Sequence, residues 1–185
     1  MFNFERRGEV KKIMLLCIAI SLISISSWSQ NPIDIKGWSN TTWGMTEENL
    51  LQIFDGKIID TKDKSSHDGI YSNLKLTMFN IEDVYFDVYF EMGEKDNRLR
   101  SVRLACDFAA PTYYSQFEQL LTDKYGQPST KDKSQNEWET KKNASWLLPS
   151  TKIELKLITN NAGLGSNLNI LYRDIKFTIE SLDKL

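Results

Sequence analysis

The chain has 185 residues and a formal net charge of −2 at pH 7, from 23 lysines and arginines and 25 aspartates and glutamates. This length suits one domain with a sizeable core, and the mildly acidic balance lacks the basic excess that nucleic-acid binding requires. Two cysteines are too few for a disulfide framework. We therefore expect a single folded domain and no nucleic-acid partner.

Residues 1–29 have the pattern of a secretory signal peptide. Basic residues precede an apolar run, Ile13–Ile25, and Ser27 and Ser29 occupy the small positions of a cleavage site. The run has 13 residues, whereas a membrane-spanning helix needs about 20, so cleavage is favoured over the alternative of a membrane anchor. The sequence predicts a periplasmic or secreted protein without a stable membrane anchor, whose domain occupies residues 30–185.

The cysteines agree with this interpretation. Leu16 precedes Cys17 at a position where a lipoprotein signal has a small residue, so no lipid anchor is predicted. Signal cleavage leaves Cys106 as the single thiol, and it follows the alternation of an apolar strand face. We interpret Cys106 as a small core residue rather than a redox or nucleophilic group.

A short helix is predicted to begin after Thr46. Thr46 is a favourable N-cap residue, and Glu47 and Glu48 suit the positive end of the helix dipole. The apolar residues that follow end at Gly56, so the helix has about two and a half turns and must pack against the rest of the domain to persist. The next polar stretch, Thr61–Gly69, has turn residues and no periodicity, and it predicts a mobile surface loop.

Three segments with strict alternation then predict antiparallel strands. They are Ile70–Phe79, Val84–Phe90 and Arg98–Phe108, and the third places Val102, Leu104, Cys106 and Phe108 on its apolar face. In the second of them, the apolar face has Val84, Phe86, Val88 and Phe90, and the polar face has Tyr85, Asp87, Tyr89 and Glu91. Alternation with a period of two indicates a strand with one buried and one wet face.

The best-defined element is an amphipathic helix within Ala110–Pro128. Pro111 suits the first turn, and Gly126 followed by Pro128 ends the helix. The predicted apolar stripe has Tyr113, Phe117, Leu120 and Leu121. We expect this helix of about 14 residues to cover the apolar faces of the neighbouring strands.

Alternation resumes after the helix and predicts up to four more strands. Their inward residues are Trp138 with Thr140, then Ala144, Trp146 and Leu148, then Ile153, Leu155 and Leu157, then Leu168, Ile170 and Tyr172. The polar stretch Lys131–Asn136 predicts a turn. Residues 174–185 fit either a terminal helical turn or an extension of the last strand.

These elements predict an α+β fold of two tandem repeats, about 41–108 and 110–174, each a short helix packed on an antiparallel β-sheet. A shared local pattern supports the duplication. Leu50-Leu51 precedes Gly56, and Leu120-Leu121 precedes Gly126, at the same spacing.

Four short motifs resemble the beta-lactamase-inhibitor-protein-like folds and related small secreted bacterial domains of unknown function. They are Trp43-Gly44-Met45-Thr46, Tyr125-Gly126-Gln127-Pro128, Trp138, and the segment Leu168–Tyr172. The resemblance implies two tandem helix-and-sheet repeats and a function in binding other envelope proteins. The single thiol Cys106 departs from the disulfides of the secreted inhibitors, and no inhibitory loop is matched, so no functional residue is transferred.

No residue pattern predicts a catalytic or metal site, and no cofactor is predicted. His67, the single histidine, lies in the predicted polar loop without a partner. Three acidic residues, Asp60, Asp63 and Asp68, miss the spacing of a calcium loop. Asp87 and Glu91 share a strand face, but they are about 13 Å apart by strand rise, further than a glycosidase requires.

The polar face of the first strands is the candidate binding surface. It has Tyr85, Tyr89 and Arg103, or Arg100 in place of Arg103 if the strand has a bulge, with Tyr71 as a further candidate, and these residue types anchor protein interfaces. The alternative is that the tyrosines only satisfy β propensity. We expect a non-enzymatic protein-binding module whose partner is an envelope or secreted protein. The alternatives are a structural component of an envelope assembly and a carboxylate-dependent hydrolase.

Overall fold

The computed structural model describes residues 33–177. The predicted signal peptide, residues 1–29, and the C-terminal residues 178–185 lie outside this range. The helices are α1, Glu47–Phe54, and α2, Thr112–Tyr125. The strands are β1, Ile58–His67; β2, Ile70–Ile81; β3, Val84–Gly93; β4, Leu99–Cys106; β5, Thr130–Gln135; β6, Glu139–Leu147; β7, Thr151–Asn160; and β8, Ser166–Asp174.

All eight strands form one antiparallel sheet with the order β1-β2-β3-β4-β8-β7-β6-β5. Every pairing joins strands that are neighbours in sequence, except for the central pairing of β4 with β8. In that pairing Ser101 lies opposite Arg173 and Cys106 lies opposite Leu168. The strands before and after α2 are therefore halves of one continuous sheet.

The predicted α+β class with two tandem helix-and-sheet repeats is wrong, because the described chain is mostly β and has a single sheet. The inner strands β4 and β8 would each expose a row of unpaired backbone N–H and C=O groups if the halves formed separate sheets. Pairing them satisfies these groups. Alternation in a sequence indicates that a segment is a strand, but it does not indicate which strand is its partner.

The core lies between the sheet and the two short helices, on one face of the sheet. Phe90 of β3 is fully buried, and its ring lies 5.2 Å from that of Phe54 at the end of α1. Phe86 makes an edge-to-face contact, also at 5.2 Å, with Phe117 of α2. All the buried apolar residues except Ile70 belong to one cluster. We call the face of the sheet that packs against the helices the helix side.

The ends of α1 follow the predicted chemistry. Thr46 caps the helix, since its hydroxyl accepts a hydrogen bond from the Asn49 N–H at 3.2 Å, while the Asn49 side chain accepts one from the Thr46 N–H at 3.3 Å. Asp55 ends the helix with a positive φ of 33°, and Gly56 follows with a φ of 71°. The predicted start and stop of this helix are confirmed.

The second helix is also confirmed, with a shifted apolar stripe. It begins after Pro111 and ends at Gly126, whose N–H donates to the Thr122 carbonyl at 2.8 Å. Phe117 and Leu121 are buried as predicted, and the third buried residue is Tyr114. The predicted stripe residues Tyr113 and Leu120 are only partly buried.

Two predicted polar loops are strands instead. Thr61–Gly69 lies mostly in β1, which has an irregularity between Asp60 and Ser65, and Lys131–Asn136 lies mostly in β5. Both are edge strands of the sheet, and the side chains of β5 are exposed throughout. A strand with no buried face has no apolar alternation, and lysines on an edge strand oppose pairing with other chains.

The ambiguity at the C-terminus is partly resolved. Strand β8 ends at Asp174, and residues 175–177 have helical backbone geometry. Asp174 forms an ion pair with Arg100, in which Asp174 Oδ2 lies 3.2 Å from Arg100 Nη1. This contact holds the end of β8 beside β4. The rest of the predicted terminal segment lies outside the described residues.

Three tyrosines are buried, and we therefore predict that the free energy of unfolding falls at alkaline pH. Burial raises the pKa of Tyr114 to about 12, and burial also raises the pKa of Tyr71 and of Tyr172. Because a raised pKa favours the neutral phenol in the folded state, this stabilisation is complete below pH 10 and is lost as the pH rises beyond it. Urea denaturation followed by circular dichroism should give a free energy of unfolding that falls from pH 10 upwards.

The matched variant for this prediction is Tyr114→Phe, which keeps the ring and removes the ionisable group. Its free energy of unfolding should decline less steeply above pH 10 than that of the unmodified protein. Identical slopes would contradict a role for the Tyr114 hydroxyl in the alkaline loss.

Candidate functional site

The face of the sheet opposite the helices has no covering element among the described residues, and we call it the open face. Within β3, Phe86, Val88 and Phe90 are buried on the helix side, so the alternate residues point to the open face. The structure places Tyr85, Tyr89 and Arg103 together on that face. Tyr71 is on the helix side, because an irregularity near Asn73 reverses the alternation in β2.

Tyr71 instead belongs to a polar contact with the start of α1. Its hydroxyl donates to Glu47 Oε1 at 2.6 Å and also lies 2.9 Å from Asn97 Oδ1. The side chain is buried. Tyr71 therefore holds α1 against the sheet and is not available to a partner.

On the open face of β3, Tyr89 lies between two cations on the neighbouring strands. Lys75 of β2 and Arg103 of β4 are its register partners. The Lys75 Nζ lies 5.2 Å from the centre of the Tyr89 ring, and the Arg103 guanidinium lies 4.3 Å from it. Both distances fit cation–π contacts. We call Lys75, Tyr89 and Arg103 the cation–tyrosine row.

Carboxylates hold both cations of this row in place. Lys75 Nζ lies 2.7 Å from Asp87 Oδ2, and the hydrogen bond to Asp87 raises the pKa of Lys75. The Arg103 Nε donates to Glu91 Oε1 at 3.0 Å, and the Ser101 hydroxyl donates to Glu91 Oε2. Glu91 is only 1% exposed, so the row is attached to a buried anion as well as to the sheet.

Asp87 and Glu91, the candidate catalytic pair of a hydrolase, are the two carboxylates that bind these cations. Asp87 bonds to Lys75 and Glu91 bonds to Arg103. A general acid or base needs a carboxyl that reaches substrate, and Glu91 is buried behind Arg103. This geometry favours a positioning role for both groups over acid–base chemistry.

Tyr85 lies further along the same face, near the turn between β2 and β3. It is opposite Asn80 of β2 and is 55% exposed. The pairing of β3 with β4 begins only at Asp87, so no β4 residue is paired with Tyr85. It extends the aromatic surface from the cation–tyrosine row towards one end of the sheet.

Beside the row, the open face forms a polar groove of about 520 Å³ across β4, β8, β7, β6 and β5. Its charged lining residues are Arg103, Lys141, Lys156, Arg173, Asp132 and Glu154. No pattern in the sequence indicates this groove, because it depends on the pairing of β4 with β8. We call it the open-face groove.

Three exposed apolar side chains at one end of the sheet were missed or misassigned from the sequence. Phe108 is 84% exposed, Leu164 is 74% exposed and Trp138 is 71% exposed. Phe108 and Trp138 were predicted to be inward strand residues, which is wrong, because β4 ends at Cys106 and β6 begins at Glu139. Their turns are adjacent, since the Asn161 N–H donates to the Trp138 carbonyl and Phe108 lies against Gly165.

Phe108 also has a left-handed backbone, with a φ of 57°, which is unfavourable for a bulky L-residue. Phe108→Gly should therefore raise the free energy of unfolding by about 0.5–1 kcal/mol, the relief of strain exceeding the entropy that glycine adds to the unfolded chain. Urea denaturation measures the gain. Leu164→Gly is the control, because Leu164 is similarly exposed without a positive φ, and an equal gain there would contradict the strain at Phe108.

The two other candidate groups, His67 and Cys106, are not part of the cation–tyrosine row. His67 is exposed on the edge strand β1, and Cys106 is partly buried against the core. Burial raises the pKa of the Cys106 thiol, which disfavours the reactive thiolate. Within residues 33–177, no three potential metal-binding side chains are grouped as a metal ion would require.

The chain was compared with protein families, with curated proteins and with solved structures. No family model, no curated protein and no solved structure matches the chain. The resemblance to beta-lactamase-inhibitor-protein-like folds therefore stays a prediction from short motifs. No helix of the described part is both long enough and apolar enough to cross a membrane.

Proposed function

We propose that this protein is a non-enzymatic binding module, exported to the periplasm or secreted, that contacts a partner protein through its open face. The observation that carries the proposal is the cation–tyrosine row. Tyrosine and arginine are enriched among residues that dominate binding energy at protein interfaces. Here Tyr89 and Arg103 are in contact on a face that no other element of the described residues covers.

The row is also held in position before any partner arrives. Asp87 fixes Lys75, and Glu91 with Ser101 fixes Arg103. Ordering flexible side chains is one of the free-energy costs of association. A row whose cations are already held on rigid strands loses less conformational entropy on binding, which supports an interface role over simple sheet coverage.

Export is the second part of the proposal and depends on the predicted signal peptide. The resemblance to secreted bacterial binding domains supports the same compartment. Together they indicate that the partner is an envelope or secreted protein, and this restricts where the partner should be sought.

Site-specific photo-crosslinking tests the binding face in the cells of origin. A photoreactive amino acid is placed at Tyr85 or at Tyr89, and the matched control carries it at Lys124, which is exposed on α2. The proposal predicts a discrete crosslinked species of higher mass from the two open-face positions and not from Lys124. Mass spectrometry then identifies the partner.

Crosslinking from Lys124 alone would overturn the assignment of the open face. The absence of any discrete species from all three positions, with the protein folded and exported, would overturn protein binding altogether. With the partner identified, the Tyr85→Ala/Tyr89→Ala pair should weaken binding, and circular dichroism should confirm that the pair remains folded.

A further inference from the structure

The open-face groove has an excess of positive charge that its own residues do not neutralise. Arg103 is paired with Glu91, and Lys141 lies 2.5 Å from Glu139. Of the two groove carboxylates, Glu154 lies 2.8 Å from Lys152, which is not a lining residue, and Asp132 keeps its charge, since its hydrogen bond comes from the neutral amide of Asn143. Among the described residues, the other two lining cations, Lys156 and Arg173, have no carboxylate within ion-pair distance.

These two cations lie on adjacent central strands at a defined separation. Lys156 of β7 is opposite Asn169 of β8, and Arg173 is four residues further along β8, about 13 Å away by strand rise. Leu171 lies between Asn169 and Arg173 on the same face. The floor of the groove therefore has a cation on β7, an apolar side chain on β8 and a second cation further along β8, so the two cations lie diagonally across the two strands.

This arrangement matches an extended peptide in spacing and charge. Alternate residues of an extended chain point to the same side, so side chains at positions i and i+4 face one surface about 13 Å apart. Two carboxylates at that spacing would reach Lys156 and Arg173 together, and the side chain at i+2 would cover Leu171.

We propose that the open-face groove binds an extended acidic segment of the partner protein, with carboxylates at positions i and i+4. This inference depends on the proposed function and specifies the chemistry of the partner. Arginine binds a carboxylate through two parallel hydrogen bonds, and lysine binds it as a point charge. The amides of Asn143 and Asn169 line the same groove and supply donors and acceptors for the backbone of the segment.

The test uses a fluorescent synthetic peptide of eight residues, built of serine and threonine with glutamate at i and i+4, and measures binding by fluorescence anisotropy. One comparison peptide has glutamine at both positions, and another has the two glutamates adjacent. The i, i+4 peptide should bind about tenfold more tightly than either, and its affinity should fall as the salt concentration rises.

Charge-matched variants locate the site on the protein. Lys156→Gln/Arg173→Gln should weaken binding of the i, i+4 peptide about tenfold. Lys124→Gln/Lys133→Gln removes the same two charges from exposed positions outside the groove, and it should leave the affinity unchanged. Circular dichroism and thermal unfolding establish that both variants are folded.

Three outcomes would overturn the proposal that the groove binds an acidic segment. The glutamine peptide could bind as tightly as the i, i+4 peptide, both variants could lose the same affinity, or the i, i+4 peptide could fail to bind at millimolar concentration. A preference for the adjacent glutamates would overturn the spacing. These failures are distinguishable from failure of the proposed function, because crosslinking from Tyr85 and Tyr89 reports on the open face without requiring an acidic ligand. Crosslinking that succeeds while the peptide fails would leave a protein-binding face with a different partner chemistry.

Discussion

Trp146→Ala is expected to lower the free energy of unfolding by about 4 kcal/mol, as measured by urea denaturation followed by circular dichroism. Trp146 lies in β6 and is 1% exposed. Its indole N–H donates to the Gly126 carbonyl at 2.8 Å, which joins β6 to the end of α2. Alanine would leave a large cavity between the sheet and the helix, and it would also leave that carbonyl without its partner.

Two control variants separate the contributions to this loss. Trp146→Phe keeps most of the volume and removes the hydrogen bond, so it should lower the free energy of unfolding by about 1–2 kcal/mol. Trp138→Ala removes the same side chain from an exposed turn and should change the free energy by less than about 0.5 kcal/mol. Equal losses at Trp138 and Trp146 would contradict the burial of Trp146.

The faces of the inner strands could be predicted from sequence, because the core imposes a period of two on them. In β3 the predicted apolar residues Phe86, Val88 and Phe90 are all buried, and in β7 so are Ile153 and Leu155. Each of these strands has one face on the core and one in water. The alternation of apolar and polar residues follows from these two environments.

The edge strands and the strand order could not be predicted in the same way. Strand β5 has no buried residue, so nothing in its sequence distinguishes it from a loop. The pairing of β4 with β8 joins segments that are far apart in the chain, and each would show the same alternation beside any other partner. The sequence pattern does not specify which strands pair, and for this reason one sheet was predicted as two helix-and-sheet repeats.

The candidate site was predictable only in part for the same reason. Alternation in β3 is enough to place Tyr85 and Tyr89 on one face. Lys75 joins Tyr89 through a register with β2 that contains two irregularities, and no sequence pattern specifies it. The open-face groove depends on the central pairing of β4 with β8, so its cations Lys156 and Arg173 could not be connected with Arg103 in advance.

Exposed apolar residues at the sheet end were misassigned because alternation continues past the end of a strand. Phe108 follows Leu104 and Cys106 at the correct spacing for a buried residue. The backbone leaves the sheet after Cys106, and the positive φ at Phe108 turns the side chain into solvent. A left-handed residue that is not glycine, asparagine or aspartate has no reliable sequence signal.

The second large effect is expected at the open face itself. Arg103→Ala should lower the free energy of unfolding by about 2–3 kcal/mol, less than for a fully buried pair because the Arg103 side chain is 33% exposed. The cause is Glu91, which is 1% exposed and would retain only the Ser101 hydroxyl as a donor among the contacts that now hold it. Urea denaturation at neutral pH measures the loss.

Glu91→Gln in the Arg103→Ala background tests this cause, because a neutral amide can still bond to Ser101 without leaving a buried charge. The double variant should recover about half or more of the free energy of unfolding that Arg103→Ala loses.

Lys75→Ala is the matched comparison on the other side of Tyr89. Its partner Asp87 is 35% exposed, so the free energy of unfolding should fall by less than about 1 kcal/mol. Since Lys75→Ala removes a cation from the row with little effect on folding, reduced partner binding by this variant would report on the interface itself. Equal losses at Lys75 and Arg103 would contradict the burial of Glu91 as the source of the difference.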